Sequence, residues 1–537
     1  MLDWPVPAEA RASAGHVDLI LSALTTAGFT GAIEILVNGR GISSHALSAG
    51  QNRLNLSLPL PPEALAGGRL RVSLRYAAAA SESRCRDKRL GGIALSIDPR
   101  SALSLRGPEP QTTAEALALL PAEVGLAIEG GPLTAEAYRN ALALAAGLAQ
   151  SGHRLTLRPP ATADLVLSQA AATPERRADG VLVLPLNAPA GAGARAAPPV
   201  MEDASIALAT LGAETGPRET YGEAEWGFAL PAAPAGKIPS ALALAFIHGA
   251  DAPGIHHVVH LLINGALAAS AELPPGKTDP VILPIPPGLL GFADRATLRF
   301  ERMTKTGCLD ASAPLPVTLA PSARLLLGAA PKRARQFFEI AGATQDGLAL
   351  YLPPAYFTDP GPSLPFLAAL LKDYWRPGTP LALHPLSDAA APPPHPFILV
   401  AQSAPEALSL PLRADASRIL IETRDKRPVL ALEREEGGFA VLARLGDHDG
   451  IWIAPPRDQN QIPNRLGLEH GDLALFDATG VALWLNTAAP RGLTLRYADA
   501  TGLGDIFGKG WLFGNAALWC LATLVLLITL ARRGFRR

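Results

Sequence analysis

The chain has 537 residues, of which 48% are hydrophobic and 18% are charged, against roughly 25% charged residues in an average protein. Its 47 basic and 48 acidic side chains leave a net charge of −1, which argues against a nucleic-acid-binding protein because no basic field neutralises phosphates. The 50 glycines and 51 prolines exclude a coiled coil or an all-helical protein, and the high apolar content excludes a disordered chain.

Residues 1–106 have the alternating pattern of a β-sandwich. The run 32–37 ends at Asn38-Gly39, a dipeptide that favours a hairpin turn because both residues tolerate positive φ. Short strands separated by proline and glycine are typical of a β-sandwich or jelly roll. We therefore predict a first sandwich here, with an abbreviated start compared with the second sandwich described below.

Residues 114–190 change to the pattern of a small α/β domain. The short apolar run 124–128 predicts a buried strand. Thr134 is predicted to cap a helix that runs to about Gln150. Further strands are predicted at 154–157, 164–167 and 181–184. This order of strand, helix and strand favours a parallel sheet.

Residues 201–330 repeat the first sandwich, and this internal repeat is the strongest signal in the sequence. The strand predicted at 257–263 ends at a second Asn-Gly turn, Asn264-Gly265, and Cys308 matches Cys85. Matched residues are separated by about 222 to 226 positions throughout. The other matched runs are 58–62 with 283–287, 69–74 with 295–300, and 96–101 with 318–322.

Residues 336–500 loosely repeat the α/β pattern. A strand is predicted at 347–352 and a helix at 364–374. The later strands, which we expect to extend the same sheet, are predicted at 381–384, 397–401, 418–422, 428–432, 439–442, 473–476 and 481–485. The predicted fold class is thus mixed β and α/β, with two jelly-roll sandwiches alternating with two α/β domains.

The end of the chain has the pattern of a membrane anchor. Residues 511–531 contain no charge and are long enough to span a bilayer, and Trp511 and Trp519 lie in their first half. The arginine-rich tail 532–537 predicts a cytoplasmic C-terminus and an exported bulk. Residues 1–15 lack the basic and apolar regions of a signal peptide, so we expect either a missing leader or a misplaced start.

A short amphipathic helix is predicted just before the anchor, over residues 502–510. Leu503, Ile506 and Phe507, followed by Trp511, fall on one helical face, which favours a helix lying on the outer membrane surface. Four glycines interrupt this stretch, so a flexible neck is the alternative.

The sequence contains no motif for metal, nucleotide or nucleophilic chemistry, and we predict no catalytic residue, no metal and no cofactor. His256, His257 and His260 resemble a ligand cluster. On a strand, however, His256 and His260 share one face and His257 points away, which favours a structural role.

Two other sets of residues are candidates for a special role. Sugars stack on exposed aromatic rings, so the tryptophans of the exported part are candidate glucan contacts, although core packing is the favoured role for each because tryptophan is highly buried on average. These tryptophans are Trp226, Trp375, Trp452 and Trp484. Cys85 and Cys308 hold equivalent positions in the two sandwiches, where either a disulfide between them or two separate buried thiols is expected.

The order of these segments resembles the periplasmic subunit of bacterial cellulose synthase, the BcsB family. The resemblance rests on the two Asn-Gly turns, the two Leu-Pro-x-Pro-Pro runs, the loops that carry Cys85 and Cys308, and Leu211-Gly212 at the start of the second sandwich. It implies two carbohydrate-binding-like jelly rolls alternating with two flavodoxin-like domains, followed by an amphipathic helix and one transmembrane anchor.

The resemblance also implies a non-catalytic role in a bacterial inner membrane, with the bulk of the chain in the periplasm. Its expected partners are the membrane glycosyltransferase that makes β-1,4-glucan from UDP-glucose, the nascent glucan and the lipid bilayer, with self-association through sandwich edges conceivable. Cyclic di-GMP, a cytoplasmic nucleotide, is expected to bind the catalytic partner instead of this chain. The alternatives are a membrane-tethered glycan-processing enzyme and a structural envelope or adhesion protein.

Overall fold

The structure is a computed structural model, and it describes residues 2–186 and 204–497 apart from short internal segments. Those segments are 7, 27, 67, 84, 88–92, 99, 132, 232–235, 250, 274–279, 293, 305–312, 377, 391–392, 411–412, 415–417, 423–427, 434–436, 457–462, 464–465 and 488–493. The predicted surface helix, anchor and tail (502–537) and Cys308 therefore lie outside the described residues. Within the described part, no helix is long and apolar enough to cross a membrane.

The described strands of residues 2–106 form two facing antiparallel sheets, as predicted for a sandwich. The elements are β1 (Leu2–Pro5), β2 (Ala14–Thr25), β3 (Thr30–Val37), β4 (Arg40–Leu47), β5 (Gly50–Leu60), α1 (Pro62–Leu65), β6 (Arg69–Ala79), β7 (Ile93–Ile97) and β8 (Ala102–Arg106). One sheet has the order β1-β6-β3-β4, and in the other β2 pairs with β5, β7 and β8. Because side chains alternate between faces, β2 buries Val17, Leu19 and Leu21 in the core.

The next unit is a mainly parallel sheet with one long crossover helix. Its elements are α2 (Thr113–Ala118), β9 (Glu123–Glu129), α3 (Ala135–Gln150), β10 (Arg154–Leu157), β11 (Leu165–Ser168), β12 (Glu175–Arg176) and β13 (Leu182–Pro185). The strand order is β10-β9-β11-β13-β12, and only β12 runs antiparallel to its neighbour. The hydroxyl of Thr134 accepts a hydrogen bond from the Ala137 amide at 3.1 Å, which confirms the predicted helix cap.

Within the described residues, the second sandwich has more strands than the first. They are β14 (Ser205–Ala207), β15 (Arg218–Thr220), β16 (Glu223–Ala229), β17 (Lys237–Leu244), β18 (Phe246–His248), β19 (Ile255–Ile263), β20 (Ala266–Leu273), β21 (Val281–Pro284), β22 (Arg295–Thr304), β23 (Leu315–Leu319) and β24 (Arg324–Ala329). One face is the sheet β16-β22-β19-β20, and the other is formed by β14-β24-β17-β21 and β15-β23-β18. A single apolar core lies between them.

The last described unit is built on an eight-stranded sheet of order β26-β25-β27-β32-β31-β33-β34-β35. Its elements are α4 (Phe337–Ala343), β25 (Leu348–Leu352), α5 (Pro354–Thr358), α6 (Leu364–Tyr374), β26 (Leu381–Pro385), β27 (Phe397–Val400), β28 (Arg413–Ala414), β29 (Arg418–Glu422), β30 (Pro428–Glu433), β31 (Gly438–Leu445), β32 (His448–Ala454), β33 (Leu473–Asp477), β34 (Gly480–Asn486) and β35 (Thr494–Tyr497). The expectation that 418–422 and 428–432 extend the main sheet is wrong. They form a separate sheet, β28-β29-β30, because β32 takes the position beside β27.

The two α/β units repeat one topology and share one core. In each, the first strand lies between the second and the third, and the long helix connects the first strand to the second. These two helices, α3 and α6, pack on each other, and the buried residues of both units form one continuous cluster. The flavodoxin-like assignment stays a prediction, since in the described residues only this crossover carries a helix longer than ten residues.

The Asn-Gly turns fix the register of the sandwich repeat. Asn38 and Asn264 have φ of 48° and 50°, which confirms the predicted turns. The side-chain oxygen of each asparagine accepts a hydrogen bond at 2.8 Å from the amide of an arginine, Arg71 in one copy and Arg295 in the other. Arg71 therefore matches Arg295. The match of Arg69 with Arg295 that was predicted from the sequence is therefore wrong by two residues. It compared the runs of letters alone, whereas the register depends on this hydrogen bond between neighbouring strands.

Candidate functional site

A row of polar side chains crosses the outer face of the second sandwich. Strand pairing aligns Glu225, Arg299, His260 and Ser270 on the neighbouring strands β16, β22, β19 and β20. The Arg299 guanidinium donates to Glu225 at 2.7 Å, and His260 Nδ1 lies 2.7 Å from the Ser270 hydroxyl. His260 also lies 3.4 Å from Glu301. We call the four aligned residues the polar row.

The polar row arises from the alternation of β19 and β22. Val259 and Leu261 point into the core, so His260 between them must point outward. Burial opposes the charge of Arg299, but the carboxylate of Glu225 outweighs it and raises the pKa of the guanidinium. Exposed ion pairs of this kind contribute at most about 1 kcal/mol to stability, so the row adds little to the stability of the sandwich.

The first sandwich carries a counterpart of the row. Strand pairing aligns Arg75, Glu34 and Ser44 on β6, β3 and β4, at the positions of Arg299, His260 and Ser270. Arg75 lies 3.2 Å from Glu34. Both sandwiches therefore present an arginine, a glutamate or histidine that can hydrogen-bond, and a serine in the same order. The four-residue row offers donors and acceptors to hydroxyl groups over about 14 Å, three strand spacings, and its three-residue counterpart over about 10 Å, two spacings.

A buried ionic network lies at the edge of the second sandwich. The Arg302 guanidinium, 2% exposed, donates to Asp251 at 2.6 and 2.7 Å and to the carbonyl of Thr220. His257 lies 3.1 Å from the same carboxylate. Burial opposes ionisation of Asp251, but Arg302 and His257 hold its pKa well below the usual range. Burial lowers the pKa of the His257 imidazole. The network binds the surrounding loops, a role that sequence reasoning missed.

The three histidines of β19 do not converge on one point. His256 faces outward and lies 2.8 Å from Glu272, while His257 is directed inward to Asp251. Within the described residues, no group of three side chains could hold a metal ion.

Three of the four candidate tryptophans are core residues. Trp226 and Trp452 have 0% exposed surface and Trp375 has 5%. The indole nitrogens of Trp452 and Trp375 donate to the carbonyls of Ala401 and Thr379. Burial prevents these three rings from stacking on a sugar, so they are ruled out as glucan contacts, and the core packing favoured from the sequence is confirmed for them. Trp484 is half-buried, with its ring edge-on to His470.

Cys85 is disulfide-bonded, and its partner lies outside the described residues. Pairing with Cys308 therefore stays a prediction. The predicted anchor residues Leu503, Ile506, Phe507, Trp511 and Trp519 also lie outside the described part of the chain.

Two clefts lie between the α/β units. One, of about 460 Å³, is lined by Glu123, His153, Arg154 and Lys372. The other, of about 420 Å³, lies at the carboxyl ends of β9 and β10, the edge where parallel sheets often bind ligands. Of the described residues that line this second cleft, Arg158 and Asp359 are charged.

Comparison with known proteins gives no family. No protein-family model matches the chain, and no curated protein matches it. Among solved structures, an acetyl xylan esterase (Est2A) from Butyrivibrio proteoclasticus is 14% identical, with a TM-score of 0.14, over 34% of this chain and 47% of that chain. The tandem CBM22-1-CBM22-2 domain of Paenibacillus barcinonensis Xyn10C is 12% identical, with a TM-score of 0.13, over 61% and 82%. PNGF-II is 10% identical, with a TM-score of 0.14, over 60% and 59%. The chain thus spans less than two thirds of the esterase and of PNGF-II, and similarities this low carry no argument about function.

Proposed function

We propose that this protein is a non-catalytic, membrane-anchored periplasmic subunit of a cellulose synthase complex. In this role its C-terminal anchor supports the glycosyltransferase subunit, and its sandwiches guide the nascent β-1,4-glucan. The observation that carries the proposal is the paired repeat, in which sandwich and α/β unit alternate twice and the α/β units join through α3 and α6.

The disulfide at Cys85 supports an exported location. Disulfides persist in oxidising compartments such as the bacterial periplasm and are rare in the cytosol. An exported bulk agrees with the arginine-rich tail that follows the predicted anchor, because positive charge stays on the cytoplasmic side.

The polar row supports a guiding role for the sandwiches. Arginine, histidine and carboxylate side chains can exchange hydrogen bonds with sugar hydroxyls, and the row lies on an open sheet face instead of in a deep cleft. Contacts of this kind are weak and reversible, which suits a polymer that must keep moving. The counterpart row of the first sandwich, formed by Arg75, Glu34 and Ser44, offers a second surface with similar hydrogen-bonding groups.

One deletion and one pair of substitutions test the proposal in membranes reconstituted with the catalytic subunit. Removal of residues 502–537 should abolish glucan synthesis, because the anchor would be lost. Replacement of Arg75 and Arg299 by alanine should leave synthesis intact but reduce co-sedimentation with the glucan. Exposed Arg100, which pairs locally with Asp98, provides the matched control as Arg100→Ala. Unchanged synthesis after removal of 502–537 would exclude the proposal.

A glycan-processing enzyme is the second candidate, and one observation favours it. Burial raises the pKa of Asp373 to about 7, with Lys372 opposing this rise and Glu469 adding to it. Carboxyl groups with raised pKa values and acidic neighbours are typical of general acids. Hydrolysis of cello-oligosaccharides by the full chain, lost in Asp373→Asn, would favour the enzyme over the accessory subunit.

A further inference from the structure

The larger of the two clefts between the α/β units plays no part in the proposed function. Its volume of about 460 Å³ lies within the range of about 300–1,000 Å³ that is usual for small-molecule sites. Glu123 and Arg154, the first residues of β9 and β10, form one wall. The other wall comes from the second unit, where Pro365, Ala369 and Lys372 lie on one face of α6. Both halves of the duplicated chain therefore build this cleft.

Two cationic side chains line the cleft, one from each unit. Arg154 is exposed, and no side chain among the described residues pairs with its guanidinium. The Lys372 ammonium lies 4.0 Å from the carboxylate of Asp373, at the outer limit of an ion pair. Neither cation is therefore held in a short ion pair with a described residue, and both are available to one anionic group.

The carboxylates nearby do not cancel these two cations. Glu123 is the only acidic residue among the described residues that line the cleft, and it lies 3.6 Å from Arg158, which also lies 3.8 Å from Asp164. Burial raises the pKa of Asp373 to about 7, so this neighbour of Lys372 is partly protonated at neutral pH. The lining of the cleft thus carries a net positive charge.

His153 adds a hydrogen-bond acceptor to this lining. Its Nδ1–H donates to the Pro121 carbonyl at 2.8 Å, because a carbonyl oxygen can only accept. Burial lowers the pKa of the imidazole, so the ring is neutral at neutral pH and Nε2 keeps its lone pair. No described residue donates to this nitrogen. Nε2 can therefore accept a hydrogen bond from a hydroxyl group of a ligand.

We propose that this cleft binds a small hydroxylated organic anion of the sugar-acid class. Arg154 and Lys372 bind the carboxylate, and His153 accepts a hydrogen bond from a hydroxyl group. Leu155 and Ala369 supply apolar contacts for the carbon skeleton. The inference does not depend on the proposed function, because the cleft lies between the α/β units and the polar row lies on the second sandwich.

Titration with D-glucuronate tests the inference on the full-length chain in detergent, followed by saturation-transfer NMR of the ligand. We expect saturable binding with a Kd of about 1 mM. D-Glucose has a similar ring and hydroxyl groups but no carboxylate, and propionate has a carboxylate but no hydroxyl group. Each should bind about tenfold more weakly, because each loses one class of hydrogen bond.

Variants of the two cations locate the site. Arg154→Ala and Lys372→Met should each weaken glucuronate binding about tenfold, the effect of losing one charge-assisted hydrogen bond. Arg154 is exposed and methionine keeps the apolar stem of Lys372, so neither change should impair folding. Lys372→Arg keeps the charge and should retain binding. Arg139→Ala, at an exposed arginine of α3 outside the cleft, is the matched control and should bind normally.

Three results would overturn the inference. The first is no saturable binding of glucuronate up to about 10 mM. The second is equal affinity for glucuronate and glucose, which would show that the cations take no part. The third is unchanged affinity in both Arg154→Ala and Lys372→Met, which would place the binding elsewhere on the chain. None of these results bears on the synthesis and co-sedimentation assays that test the proposed function.

Discussion

The hydroxyl groups of Tyr138 and Ser363 lie 3.0 Å apart in the buried contact between α3 and α6. Tyr138 belongs to the crossover helix of the first α/β unit and Ser363 immediately precedes that of the second, so their hydrogen bond joins the two halves of the duplicated chain. Ser363 also donates to the Pro360 carbonyl at 2.9 Å, which leaves the tyrosine hydroxyl as the donor between the helices.

Tyr138→Phe should remove this hydrogen bond without creating a cavity. We expect the free energy of unfolding to fall by about 1 kcal/mol, the usual worth of one hydrogen bond. Urea denaturation followed by tryptophan fluorescence measures the change. Tyr76→Phe, at an exposed position, is the control and should have no effect. Equal stability of Tyr138→Phe and the parent chain would show that the bond does not join the helices in solution.

Arg302→Ala should destabilise the second sandwich strongly. It leaves the buried Asp251 carboxylate without its ionic partner, and breaking a buried pair costs about 3–5 kcal/mol. Arg299→Ala, which breaks the exposed pair with Glu225, should cost no more than about 1 kcal/mol. Thermal unfolding of the two variants compares them directly, and similar midpoints would contradict the buried network.

The stability of the chain should depend on the protonation of Asp373. Burial raises the pKa of this carboxyl from 3.8 to about 7, so the folded state binds the proton more tightly than the unfolded state. Its contribution to stability is fully present below pH 4 and is lost as the pH rises through about 7. Asp373→Asn should remove this part of the pH dependence. Unfolding midpoints measured from pH 5 to pH 8 test it, and parallel curves for variant and parent would refute it.

Cys85→Ser should lower the free energy of unfolding by about 2–5 kcal/mol, as removal of a native disulfide usually does. Reduction of the parent chain should have a similar effect and should add nothing to the variant. Peptide mapping without reductant identifies the partner. A bridge to Cys308 is expected, and a free Cys308 thiol would exclude that pairing.

Much of the local structure follows from the sequence alone. The predicted bounds of β10, α6 and β29 coincide with those of the structure. β10 and α6 combine an apolar pattern with proline or glycine close to their ends, and β29 is a short β-branched run between polar residues. The Asn-Gly turns were predictable for the same reason, because the preference for positive φ is a property of the two residues themselves.

The candidate site was far less predictable. Sequence reasoning selected tryptophans by their chemistry, yet burial excludes Trp226 and Trp452, since bulky rings are also the residues that fill a core. The polar row was not predicted from the sequence, because Glu225 and Arg299 are 74 residues apart and become neighbours only through strand pairing.

The sequence by itself determined the duplication, its alternation of sandwich and α/β unit, and most strand and helix positions, because periodicity and turn preference act over a few neighbouring residues. Only the tertiary structure decided that Arg71 matches Arg295 and that α3 and α6 share one core. It also decided the difference in burial between Leu298, which has no exposed surface, and Leu74 at the matching position, which is half-buried. These depend on hydrogen bonds and packing between distant segments, and the local pattern of either segment carries no record of its partner.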